Sequence, residues 1–262
     1  MNRVLALGST LLLPLVAAAY PGGTPNFQTD VAPYCASCHS SVAEQDLSGG
    51  GERAGKELAE RKHIAVVLSG QKAYEKLSEP DRVELAEQLR ALDAASTISM
   101  KAPQAVKPGQ TFQVQVSVTG GAGPVVGVGL VDRPHRWHAR PAASAGWSVV
   151  AAPEPVGGDG SKRGDWLELV PLAQRNLSFV NIPGIESDAA LEKWDSAEVV
   201  FTLRAPDRPG SYPLTAVYFY GTETSTVLGY TTNELGRKLP RGGFLGGSGR
   251  VRFTPQQQIE VR

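Results

Sequence analysis

The period of the hydrophobic pattern changes near residue 95, and this change limits how the chain can fold. Between residues 58 and 92, apolar residues recur at the spacing of amphipathic helices. Beyond the change, Phe112, Val114, Val116 and Val118 alternate with polar residues, as in a half-buried strand. Similar runs follow at 125–131, 147–151, 165–170, 198–204, 212–220, 225–230, 249–253 and 257–261, separated by clusters rich in Gly and Pro. We therefore expect two helices followed by a β-sandwich.

The second predicted helix has a clear start signal. Ser78 stands three residues before Asp81, so its hydroxyl can accept a hydrogen bond from the first turn. Pro80 fits this turn because no backbone N–H is needed there. The pattern predicts a helix that begins directly after Ser78.

Residues 1–19 have the features of a secretory signal peptide. A single positive charge at Arg3 precedes an apolar stretch from Val4 to Val16, and the segment ends in three alanines before Tyr20. The apolar stretch is shorter than the roughly 20 residues that span a bilayer. We expect cleavage before Tyr20, a periplasmic or secreted mature chain, and no transmembrane span after cleavage.

The charge balance argues against a nucleic-acid partner. The 262 residues include 26 basic and 26 acidic side chains, so no net field recruits a polyanion. The chain has only two cysteines, which is too few for a disulfide framework at this length. Their spacing therefore has to be interpreted as chemistry.

Both cysteines belong to one pentapeptide, Cys35-Ala36-Ser37-Cys38-His39. Two thiols at this spacing can each add to a vinyl group of one haem, and the adjacent imidazole then binds the iron as the proximal ligand. The alternative is a redox or structural Cys-x-x-Cys pair, which an exported protein could oxidise to a disulfide. The motif predicts one covalent haem c on Cys35 and Cys38, with His39 as an iron ligand.

The residues around this motif resemble bacterial c-type cytochromes of the class I type. The likeness covers residues 26–34 before the pentapeptide, 64–70, and 77–92, where the sequence is similar to the last two helices of that family. The resemblance implies a small electron-transfer domain. The expected fold class is thus a small all-α cytochrome c-like domain over residues 20–95, followed by an all-β immunoglobulin-like sandwich over residues 96–262.

The sixth iron ligand departs from that family. Class I cytochromes place a methionine between the last two helices, and residues 71–76 contain none. Met100 is the first candidate and His63 the second; each also has a structural interpretation, as a core residue and as a helix histidine. His135, His138 and the N-terminal amine of Tyr20 stay open as further candidates.

The sequence shows no catalytic constellation, so we expect a protein that is not an enzyme. The favoured function is electron transfer with exported or membrane-bound redox proteins, with the sandwich as a docking module. The alternative is a haem-based sensor or small-ligand-binding protein, in which the absent methionine leaves the distal site open.

Overall fold

The computed structural model describes residues 59–71, 74–135, 139–163, 178–222, 229–232, 238–241 and 249–262. Its helical part begins with a π-helical turn, Glu60–Ile64. This turn continues into helix α1, Ala65–Leu68. Helix α2 spans Glu79–Ala95. A short 3₁₀ turn, Ala142–Ala145, lies within the β-rich part. No helix in these ranges is long and apolar enough to cross a membrane.

Helix α2 begins as its sequence predicts. Ser78 is the N-cap residue, and its Oγ accepts a hydrogen bond from the Asp81 backbone N over 3.4 Å. Pro80 lies in the first turn, and Glu79 and Asp81 place negative charge at the positive end of the helix dipole. One face of the helix is buried through Ala86, Leu89 and Leu92. The capping prediction is confirmed.

The first sheet has five strands in the described part of the chain. They are β1 (Thr97–Lys101), β3 (Thr111–Thr119), β5 (Ser148–Val149), β6 (Glu154–Gly157) and β8 (Ser196–Arg204). The order is β1-β3-β8-β5, and β6 also pairs with β8. All of these pairings are antiparallel, with Met100 opposite Val116 and Val114 opposite Phe201.

The second sheet has six described strands. They are β2 (Ala105–Val106), β4 (Ala122–Val131), β7 (Phe179–Pro183), β9 (Gly210–Gly221), β12 (Gly249–Phe253) and β13 (Gln257–Val261). The order is β2-β13-β9-β4-β7, with β12 also on β9. The remaining two strands, β10 (Gly229–Thr232) and β11 (Lys238–Arg241), form a separate antiparallel pair.

The two sheets enclose one hydrophobic core. Side chains from both sheets contribute, as the period of two dictates for strands with one buried face. Val114, Val116 and Phe201 come from the first sheet, while Val128 and Tyr218 come from the second. Trp147 also belongs to this core, and its Nε1 donates to the Pro213 carbonyl over 2.9 Å. These contacts make the β-rich part a two-layer structure.

The second sheet is also apolar on its other face. Val131, Ala139, Phe179, Val217 and Phe219 form a second buried cluster there. Strand β12 contributes the partly buried Val251 and Phe253 to this cluster. Because side chains alternate along a strand, Arg250 and Arg252 lie on the opposite face, the face that carries Tyr218 and Tyr220.

The expected all-α cytochrome c-like domain ahead of an immunoglobulin-like sandwich is wrong as a fold class. The described residues are mostly β-sheet, with helices α1 and α2 as an addition to it. The helices share only a small cluster of their own, in which Ile64, Val67, Tyr74, Ala86 and Leu89 are buried. The end of α2 instead bonds to the second sheet. Hydrophobic periodicity identifies helices, but it does not say on which layer they pack.

The strand predictions agree with the structure at most described positions. The runs at 198–204, 212–220, 249–253 and 257–261 correspond to β8, β9, β12 and β13. The run at 165–170 lies outside the described residues, as do positions 225–228 of the run at 225–230. Strands β2, β6, β7 and β11 have no counterpart among the predicted runs. Strand β2 has only two residues, and the other three are short segments that contain Pro or Asn and give no clear alternation.

Candidate functional site

The predicted haem-attachment residues lie outside the part of the chain that the structure describes. This applies to Cys35, Cys38 and His39, to Tyr20 with the signal peptide at 1–19, and to His138. Two candidates for the sixth ligand, His63 and Met100, are described in full. His135 is also described, with its backbone N donating to the Arg133 carbonyl over 2.8 Å.

Met100 occupies a core position of β1. It is the only buried residue of this strand, with 8% of its surface exposed, and it belongs to the cluster between the two sheets. Its carbonyl accepts a hydrogen bond from Gln257 Nε2 over 3.3 Å. The side chain therefore packs inside the sandwich.

His63 lies in the π-helical turn and is almost fully buried, at 2% exposure. Its Nε2 is 3.1 Å from Tyr74 Oη, and its Nδ1 is 3.2 Å from Arg250 Nη2. A guanidinium has only donors, so Nδ1 must accept this hydrogen bond. The ring is then neutral, with its hydrogen on Nε2, which donates to the tyrosine oxygen. Both ring nitrogens are thus engaged.

Arg250 continues this contact to the end of helix α2. Its Nε lies 3.4 Å from Asp93 Oδ2, and its Nη1 donates to the Gly249 carbonyl over 3.2 Å. Tyr220 Oη donates to Asp93 Oδ1 over 2.6 Å. Arg252 Nε in turn donates to Tyr220 Oη over 2.7 Å. We call His63, Tyr74, Asp93, Tyr220, Arg250 and Arg252 the junction cluster.

The register of β12 places both arginines in the junction cluster. Arg250 pairs with Tyr220 and Arg252 with Tyr218, so all four side chains lie on one face of the sheet. Arg252 Nη2 also donates to the Asp93 carbonyl over 2.6 Å. This carbonyl belongs to the last turn of α2, where a positive charge is favoured by the helix dipole. The sheet therefore caps the helix.

Ser96 provides a second connection between α2 and the β-rich part. Its Oγ donates to the Leu92 carbonyl over 2.8 Å and accepts from the Gly121 backbone N over 2.9 Å. Gly121 precedes β4, and the preceding carbonyl, that of Gly120, accepts from Tyr218 Oη over 2.8 Å. The end of the helix is thus fixed by side chains and backbone of the second sheet.

Burial controls the ionisation of the two tyrosines in β9. Their rings stack with centroids 4.7 Å apart. Burial raises the pKa of Tyr220 well above its ordinary value, and the neighbouring Asp93 carboxylate adds to this rise. Burial also raises the pKa of Tyr218, with the Tyr220 and Asp195 charges as smaller causes. Both phenols stay protonated at neutral pH.

A second ion pair connects the π-helical turn to α2 at the surface. Arg90 donates to both carboxylate oxygens of Glu60, each over 2.9 Å. This hydrogen bond is the main cause that lowers the pKa of Glu60 and raises the pKa of Arg90. Both side chains are about half exposed, at 51% and 47%, so solvent screens the pair.

Sequence reasoning identified His63 in this region but missed the rest of the junction cluster. Arg250 and Arg252 alternate with Val251 and Phe253, a pattern that favours arginines on the solvent face. Asp93 gave no signal, since an acidic residue near the end of a helix is usually solvated. Among the described residues, no group of three or more His, Cys, Asp and Glu side chains is arranged to hold a metal ion.

No protein-family model matches the chain. No curated protein matches it either. Solved structures that it is similar to include a lytic polysaccharide monooxygenase of type AA15 from Thermobia domestica in the Cu(I) state, at 11% identity and a TM-score of 0.25, covering 60% of this chain and 61% of that one. Another is the collagen-binding domain of a Staphylococcus aureus adhesin, at 3% identity and a TM-score of 0.27, covering 63% of this chain and 96% of that one. The chain spans less than two thirds of the monooxygenase, and neither likeness carries a functional argument.

Proposed function

We propose that this chain is an exported electron-transfer protein that carries one covalent haem c and is not an enzyme. The observation that carries the proposal is the pentapeptide Cys35-Ala36-Ser37-Cys38-His39, which holds both cysteines of the chain behind a predicted signal peptide. Cys35 and Cys38 would form the thioether bonds, and His39 would bind the iron. When bound, haem supplies a one-electron redox centre.

The partners that fit this function are exported or membrane-bound redox proteins. A covalent haem is retained through repeated oxidation and reduction, which suits a carrier outside the cytoplasm. The β-rich part would orient the haem-bearing segment toward these partners. Asp93 and Ser96 attach the end of helix α2 to the β-rich part.

His63 and Met100 are the two candidates for the sixth iron ligand whose side chains the structure describes. In the described arrangement, His63 uses both ring nitrogens and Met100 packs between the sheets. Their role as ligands stays a prediction that mutation can test.

The contacts of His63 and the core position of Met100 favour a second candidate function. This function is the binding of a small neutral ligand at an open iron position. An iron without a protein-derived sixth ligand binds carbon monoxide readily once it is reduced. The distinction is made by the absorption spectrum of the reduced protein before and after carbon monoxide is added. An unchanged spectrum supports the carrier, and a rapid, complete change supports the ligand-binding protein.

Both candidate functions require a covalent haem. This requirement is tested by expressing the full chain with haem-maturation machinery. The purified protein is separated by denaturing electrophoresis and stained for haem. The matched control is the double variant Cys35→Ser/Cys38→Ser. A haem-stained band for the parent and none for the variant supports the proposal, whereas a colourless parent band overturns it.

A further inference from the structure

We propose that His63 is a structural link between the helices and the second sheet, and that it does not bind the haem iron. The link consists of two hydrogen bonds, from His63 Nε2 to Tyr74 Oη over 3.1 Å and from Arg250 Nη2 to His63 Nδ1 over 3.2 Å. The statement about iron rests on the proposed function. The statement about the link does not.

The link joins parts of the chain that are far apart in sequence. His63 and Arg250 are separated by 187 positions, and both are buried, at 2% and 6% exposure. Arg250 also contacts Asp93 at the end of α2, so one guanidinium holds the π-helical turn and the second helix together. Buried hydrogen bonds to a charged group are among the stronger ones in proteins.

The tautomer of His63 argues against iron ligation. A histidine that binds a metal through Nε2 normally donates its Nδ1 hydrogen to a carboxylate, a carbonyl or water. Here the group at Nδ1 is the Arg250 guanidinium, which has no acceptor atom. Binding through Nδ1 instead would require Arg250 to leave its contact with the ring. The arginine therefore fixes the imidazole in a form suited to linking rather than to ligation.

Two substitutions separate the structural role from the ligand role. In His63→Leu, Arg250 Nη2 loses the Nδ1 acceptor and Tyr74 Oη loses the Nε2 donor, while the contact of Arg250 with Asp93 remains. In His63→Asn, the side-chain oxygen can take the place of Nδ1 and accept from Arg250, but the residue has no imidazole to bind iron. The matched surface control is Arg90→Met, which removes the exposed pair with Glu60.

The first readout is urea unfolding of the full chain. We expect His63→Leu to raise the unfolding equilibrium constant by roughly 10- to 100-fold, since it removes a buried hydrogen bond to a charge. His63→Asn should recover about tenfold of this loss, and Arg90→Met should change the constant by less than about fivefold. His63→Leu and Arg250→Met remove the same hydrogen bond, so their effects should not be independent. The rise of the unfolding constant in the double variant should be about tenfold smaller than the product of the two single rises. Equal destabilisation by His63→Asn and His63→Leu overturns the link. So does a double variant whose unfolding constant rises by the full product of the two single effects.

The second readout is the absorption spectrum of the haem-loaded protein, oxidised and reduced. The His63→Asn spectrum should match the parent in both states. Loss of a sixth ligand in this variant overturns the proposal. A parent that carries no haem contradicts the proposed function, and the unfolding measurements then decide the link by themselves.

Discussion

Tyr220 reaches from the sandwich core to the end of helix α2, where its hydroxyl donates to Asp93 Oδ1 over 2.6 Å. The ring is fully buried and stacks on Tyr218, while the hydroxyl oxygen also accepts from Arg252 Nε over 2.7 Å. One phenol therefore satisfies both a carboxylate of the helix and a guanidinium of β12. This contact makes the helix part of the β-rich structure.

Removal of this hydroxyl should destabilise the fold. Tyr220→Phe leaves Asp93 and Arg252 without their shared partner, so the free energy of unfolding should fall by about 1–3 kcal/mol. The matched control is Tyr212→Phe in the same strand, whose hydroxyl donates to the Arg208 carbonyl at the surface over 2.9 Å. The control should cost less than about 1 kcal/mol, because water replaces the lost partner. Urea unfolding measures both, and equal losses would contradict the role of the junction cluster.

High pH should weaken the fold through the same pair of tyrosines. Burial raises the pKa of Tyr218 and Tyr220 in the folded state, whereas the unfolded value is about 10. The stabilisation that comes from this pKa difference is fully present below about pH 10. It is lost as the pH rises further, because the tyrosines of the unfolded state ionise first. The free energy of unfolding should therefore decline between about pH 10 and 12.

The contribution of Tyr220 to this decline can be isolated. The Tyr220→Phe variant should show a slope that is less steep by up to about 1.4 kcal/mol per pH unit, which corresponds to one phenolic proton. Identical slopes in the parent and Tyr220→Phe would show that burial does not protect this phenol.

The sequence predicts the elements of this fold better than their packing. Ser78 and Pro80 determine the start of α2 through local chemistry, and that prediction is confirmed. The alternation at Phe112 and Val114 identifies β3 in the same way. The contacts of Asp93 with Tyr220 and Arg250 join residues more than 120 positions apart, and no local pattern contains such information.

The junction cluster shows why the described part of the site was not predicted. Strand β12 directs Arg250 and Arg252 toward the helix end, because Val251 and Phe253 pack in a second apolar cluster on the other face. The second sheet has buried residues on both faces, so the alternation in β12 does not indicate which of its faces is exposed to solvent. The sequence identifies His63 as a candidate ligand, but its two partners are Tyr74 and Arg250. The contact with Arg250 depends on tertiary packing, which the local sequence does not encode.

A substitution at Gly121 tests how tightly the turn before β4 packs on the stacked tyrosines. Its φ is +81°, and an added Cβ would lie 2.5 Å from Tyr218 Oη. Gly160 provides the control, because its φ is +79° and no atom lies within 4 Å of the place where its Cβ would be. Gly160→Ala should cost about 1–2 kcal/mol from backbone strain alone. Gly121→Ala should cost about 1–3 kcal/mol more, because the core has to shift; equal costs in thermal or urea unfolding would contradict this packing.

The central claim, an exported chain with one covalent haem, is tested most directly by the intact mass of the purified protein under denaturing conditions. The account predicts the mass of the chain from Tyr20 to Arg262 plus one haem, and the mass of the same chain without haem for Cys35→Ser/Cys38→Ser. Non-covalent haem is lost on denaturation, so only thioether bonds preserve the added mass. A parent protein with the mass of the bare chain, after expression with haem-maturation machinery, would contradict the account.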